Sequence, residues 1–114
     1  MPVDGYRSWQ NWQQMHYPVR GLPTADVLRS TLVALDGTAG LILERYFRRR
    51  PRGSMLDMRS LSILQVCQSE LEPITVGLES DASRYFERLH SLMELVVAQA
   101  SDAANPAPPR LRAM

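Results

Sequence analysis

A chain of 114 residues with 45% hydrophobic content has room for one domain with a real core, although a lone domain of this size is marginal and self-association would reinforce it. Thirteen basic residues against twelve acidic leave a net charge of +1, which excludes a global nucleic-acid or membrane field; all thirteen are arginine, as codon usage in a GC-rich bacterial genome would produce. The single cysteine excludes an intramolecular disulfide and a multi-thiolate zinc site, Met1 to Gln10 holds no apolar leader, and no run approaches the roughly 18 apolar residues of a membrane span, so the expectation is a soluble cytoplasmic protein.

Residues 1–23 form an aromatic arm and connector. Tyr6, Trp9, Trp12 and Met15 recur at steps of three among Gln10, Asn11, Gln13 and Gln14, which predicts a short amphipathic helix starting near Asp4. Two readings stand for it: a lid that packs Trp9 and Trp12 onto the domain's own core, or a docking arm that carries them to a partner. Pro18, Gly21 and Pro23 break the period and make 17–23 a connector of restricted backbone.

The helical domain spans 24–100. Its first and longest helix runs from Thr24, a plausible N-cap, to Arg50, with Asp26 at the positive end of the helix dipole. Leu28, Leu32, Leu35, Ala39, Ile42 and Tyr46 alternate steps of four and three, so one face is apolar throughout. Asp36, Gly37 and Gly40 lower helix propensity, by about 1 kcal/mol per glycine, yet the phase continues across them and predicts one helix, bent there at most. Val33, Gly40, Leu43 and Phe47 widen the apolar arc beyond one neighbour, which predicts a second contact surface with a close approach at Gly40. At 1.5 Å per residue such a helix spans about 40 Å, enough for part of it to project into a partner.

Arg45, Arg48, Arg49, Arg50 and Arg52 crowd the helix end and the Pro51–Gly53 turn. Cations are favourable at a helix C-terminus, so a solvated end is the plain reading and a phosphate or acidic-partner patch the functional one. No aromatic platform is interleaved and no short helix, tight turn and recognition helix can be placed, so nucleic acid is the weaker reading.

A second helix should open at Ser54, with Asp57 in a capping-box variant, and stop at Pro73. Leu56, Leu61, Ile63, Leu64, Val66, Cys67 and Leu71 cover more than half its circumference, as a middle helix requires, and Cys67 reads as a buried, inert thiol. A third helix carries Ala82, Tyr85, Phe86, Leu89, Leu92, Met93, Val96 and Ala100 in one stripe, starting at Pro73 or recapped at Ser80, with Arg84, Glu87, Arg88 and Glu94 on its solvated side. His16 and His90 lie far apart, and Asp36, Glu44 and Glu70 have no partner at acid–base spacing, so neither a metal site nor an enzyme is expected. Residues 101–114, with Pro106, Pro108 and Pro109, read as a disordered tail.

The expected fold is therefore all-α, a helical hairpin or three-helix bundle with a long first helix and an aromatic arm, expected as a homodimer on grounds of size and apolar arc. No cofactor is expected. The expected function is non-enzymatic protein binding through Trp9, Trp12, Val33, Leu43 and Phe47, the alternative being a small nucleic-acid-associated protein that uses the Arg45–Arg52 cluster.

The lysine-free helical chain, its opening Met1-Pro2-Val3-Asp4-Gly5-Tyr6-Arg7-Ser8-Trp9 and its Leu28 to Phe47 helix resemble the QslA-like quorum-sensing antiactivators of pseudomonads. The resemblance implies a regulator that binds the ligand-binding domain of a LuxR-type transcription activator, occupies its dimerisation surface and so prevents DNA binding. Masking an apolar dimer surface needs exposed apolar helix and no catalysis.

Overall fold

The structure, a computed structural model, describes the backbone of residues 5–49 and 56–104, with side chains described except at 49 and 102–104. Four helices follow one another: α1 (Tyr6–Gln13), α2 (Asp26–Arg49), α3 (Met58–Thr75) and α4 (Ser80–Ala104). No strand occurs among the described residues, so the fold is all-α. Helices α2, α3 and α4 pack as a three-helix bundle, and α1 lies across α2 and α4.

From Leu32 onward the alternation of steps of four and three in α2 does what its spacing predicts, whereas Leu28, first in that row and within the first turn of the helix, is exposed. Leu32, Leu35, Ala39, Ile42 and Tyr46 are buried, and the helix continues unbroken through Gly37 and Gly40. It opens one residue later than a Thr24 cap would place it. Ala25 supplies the carbonyl that accepts from Arg29 N, while the Arg29 side chain pairs with Asp26 and donates to the Thr24 carbonyl at 2.8 Å.

The sequence expectation for α3 needs correction at its end. The helix passes through Pro73 and stops at Thr75. Proline there removes only the bond to Ser69 in a turn that is about to finish, and Leu71 and Ile74, packed on the core at either side, hold the phase. Its start is corrected too: residues 56 and 57 are not helical, the helix opens at Met58, and Asp57, with extended backbone, is itself the N-cap and accepts from Ser60 N at 3.0 Å; Ser54 and Asp4 lie outside the described residues.

The start of α4 is settled at Ser80, and the reason is tertiary. Arg20 and Gly21, in the connector, offer their carbonyls to Ala82 N at 3.0 Å and Glu79 N at 3.2 Å. Amides that a helix N-terminus leaves without intrahelical partners are thus satisfied by a segment some sixty residues earlier in the chain, as a covered helix end requires. The turn at 76–79 and a left-handed Ser80 (φ 49°) aim α4 back along the bundle. The helix then runs to Ala104, past the expected boundary at 100; residues 105–114 of the expected tail lie outside the described residues.

Candidate functional site

Of the five side chains expected to meet a partner, four lie inside this chain's own core. Trp9 is 3% exposed and Trp12 7%, while Leu43 and Phe47 are fully covered. Trp9 stacks on Phe47 with ring centroids 5.4 Å apart and planes 19° from parallel, and Tyr6 meets the same ring edge-on at 6.2 Å. Trp12 lies 5.4 Å from Tyr85, and its Cζ/Cη edge comes to 3.5 Å of where a Cβ on Gly40 would sit. The second contact surface expected around Gly40 therefore exists, but α1 occupies it. An eight-residue helix is marginal alone, so these aromatic contacts are what hold α1 helical. Of the two readings of the arm, the structure adopts the lid.

The indole N–H groups of Trp9 and Trp12, and His90 Nε2, are buried without a hydrogen-bond partner among the described residues. Two phenols of the core are paired. The Tyr85 hydroxyl donates to Asp36 Oδ1 at 2.6 Å and the Tyr46 hydroxyl to Gln99 Oε1 at 2.8 Å, each tying α2 to α4. Burial raises the Asp36 carboxyl above its ordinary range, opposed by the Tyr85 bond; burial first, then the Asp36 bond and charge, pushes the Tyr85 phenol far up. This pair is a structural clasp. Burial, and then the charge of Glu70, raises the Cys67 thiol, which leaves it a poor nucleophile.

Val33 is the remaining expected contact, and at 59% exposed it opens onto a surface that the spacing of the core stripe does not reveal. On the side of α2 and α3 away from α4, a groove of about 500 Å³ runs between the two helices. Val33, Gly37 and Leu41 line it from α2, Arg59 and Ile63 from α3, with Arg45 and Asp57 closing one end. Leu41 is 54% and Val66, beside Ile63 on the helix surface, 56% exposed. A second period was present to be read: Ala34, Gly37, Thr38 and Leu41 fall at i, i+3, i+4 and i+7, opposite the core stripe. Small residues give such a stripe little hydrophobic contrast, and the large residues of the core stripe mask it.

The arginine cluster is seen in part. Arg45 and Arg48 are exposed, Arg48 pairs with Glu44 at 3.4 Å, and Arg45 lies close enough to Asp57 to help lower that carboxyl, after the Ser60 hydrogen bonds. The side chain of Arg49, and Arg50 and Arg52 entirely, lie outside the described residues. A wider hollow of about 620 Å³ between α1 and α4 is lined by Ser8, Arg84, Glu87 and Arg88, but Arg84 is engaged by Asp81 at 2.6 Å and Glu87 by Ser83 at 3.0 Å, as on a solvated helix face. Among the described residues no group of three or more His, Cys, Asp or Glu side chains is placed to hold a metal ion, and no helix is long and apolar enough to cross a membrane. No family model, no curated protein and no solved structure matches this chain, which leaves the α2–α3 face as the feature from which a function can be read.

Proposed function

We propose that this chain is a non-enzymatic, cytoplasmic protein-binding regulator that acts as a homodimer. The observation that supports this is the apolar surface left over once the core is complete: Val33, Leu41, Ile63 and Val66 stay exposed along α2 and α3, although the bundle already buries enough aromatic and aliphatic side chain to close its interior. Val19 in the connector, Val27 at the start of α2 and Val76 after α3 add exposed apolar side chains. The resemblance to the QslA-like antiactivators supplies the target class, the ligand-binding domain of a LuxR-type activator whose dimerisation this protein blocks. The contact set Trp9, Trp12, Leu43 and Phe47 is withdrawn from that proposal, because those side chains are core; Val33 remains in it.

The test is a pull-down from a GC-rich bacterial lysate with mass spectrometry of what is retained, followed by co-elution of the full chain with a purified LuxR-type ligand-binding domain at two salt concentrations. Retention of a transcription activator, with affinity nearly unchanged by salt, supports the reading, since apolar docking is weakly screened. Retention of nucleic acid with a steep salt slope replaces it by the arginine-cluster alternative.

A further inference from the structure

Along the outer surface of α3, Arg59, Ile63, Val66 and Glu70 form one exposed row at i, i+4, i+7 and i+11. The spacing is a palindrome. From Arg59 to Ile63 and from Val66 to Glu70 the step is four residues, with a step of three between. Turning the row through half a revolution about a point between Ile63 and Val66 lays Arg59 over Glu70 and Ile63 over Val66. That is the requirement for an isologous contact, in which the same patch must complement itself. The ion pairs among the described residues are Arg29–Asp26, Arg48–Glu44 and Arg84–Asp81, so neither Arg59 nor Glu70 is engaged within its own chain there.

The α2 wall of the same groove has a small residue at its middle: Gly37 is twelfth in a helix of 24 residues, whereas the charges at its ends, Asp26 and Arg48, are already paired with Arg29 and Glu44 and set no direction for a second helix. Gly37 weakens a helix interior, yet a Cβ built there meets nothing within 4 Å. Nothing among the described residues requires a glycine at that position, whereas another helix crossing close by would. Gly37 and Ile63 both line the groove, so one axis can serve both rows.

We propose that a second copy of this chain occupies the α2–α3 face, packed antiparallel about a two-fold axis between Ile63 and Val66 and beside Gly37, with Arg59 of each copy facing Glu70 of the other. The inference rests on the homodimer reading above and assigns its surface, so Val33, which lines that groove, passes from the target contacts to the dimer interface. A heterologous target has no need of a palindromic charge row, so the pattern favours self-recognition over any other apolar occupant.

Sedimentation equilibrium of the full chain, over about one to about a hundred micromolar, gives the dimer constant directly. Arg59→Glu alone, and Glu70→Arg alone, should each weaken self-association about tenfold or more, because each places two like-charge pairs across the axis. An equimolar mixture of the two variants should recover dimer to within about threefold of the unsubstituted chain, since the mixed dimer has opposite charges at both ends. Ile63→Arg should abolish the dimer and leave the helical circular dichroism unchanged, the side chain being outside the core. If the unsubstituted chain is a strict monomer, both this surface and the homodimer reading fall. A dimer that persists through Ile63→Arg, or charge variants that show no mutual rescue, overturns this surface alone and leaves the homodimer reading in place.

Discussion

At Gly21 two demands coincide that no other residue type meets. Its backbone is left-handed (φ +84°), and a Cβ would stand 1.7 Å from the Glu79 carbonyl oxygen, which is main chain and cannot swing aside. Gly21→Ala should therefore separate the connector from the start of α4, losing the two bonds to Glu79 and Ala82, at a cost of at least about 3 kcal/mol in a denaturant melt. A loss under about 1 kcal/mol would mean that the connector does not cap α4. Asp36 offers a second residue-scale test, with its sign fixed by burial. A carboxyl whose folded pKa lies above its unfolded value contributes stability that is whole below the unfolded value near 3.8 and is lost as pH rises through the folded one. Asp36→Asn keeps an acceptor for the Tyr85 hydroxyl without the half-buried charge. It should be at least as stable as the parent at pH 7, the difference closing as pH approaches 4, whereas Tyr85→Phe should lose about 1–3 kcal/mol. Marked destabilisation by Asp36→Asn at pH 7 would show that the charge itself is favourable there.

At the scale of the element, α1 and the caps decide where helices lie. Trp9→Ala or Phe47→Ala removes one half of the stacked pair that fastens α1, and each should cost about 3–5 kcal/mol and lower the melting temperature sharply. Calorimetry showing little change would return α1 to the role of a free arm. At Asp57 the cap bonds to Ser60 hold the carboxyl below its ordinary value, so its contribution is present above the unfolded pKa and vanishes as pH falls through the folded one. Asp57→Ala should thus melt earlier than the parent at neutral pH, with the gap shrinking on acidification; a gap independent of pH would assign it to lost packing instead.

At the scale of the whole molecule, the apolar α2–α3 face proposed above as a contact surface lies away from α4, and the exposed Arg45 and Arg48 lie at the C-terminal end of α2. If apolar contact dominates target binding, replacing Arg48, Arg49 and Arg50 together by Ala should change the affinity by less than about tenfold, because exposed charges act mainly through steering. Titration of the triple variant against the retained target decides the matter: a loss beyond about a hundredfold with a steep salt slope would put the arginines at the centre of binding.

The sequence by itself determined the four-helix content, the buried face of α2 and α4 and the inertness of Cys67, because periodicity at 3.6 residues per turn is a local property that burial must respect. It left undecided everything that depends on which surfaces meet. Tyr6, Trp9 and Trp12 are spaced equally well for a lid or an arm; the space beside Gly40 and the Phe47 ring, seen only when α1 and α2 are packed, makes them a lid. Pro73 signals an ending, but the core contacts of Leu71 and Ile74 carry α3 two residues past it. The start of α4 at Ser80 is chosen by carbonyls of Arg20 and Gly21, partners too remote along the chain for any local pattern to report. The breadth of the apolar arc on α2 was legible, and its division was not: Leu43 and Phe47 fall to the core and Val33 to the surface, because only tertiary packing fixes which flank of a wide arc α1 covers.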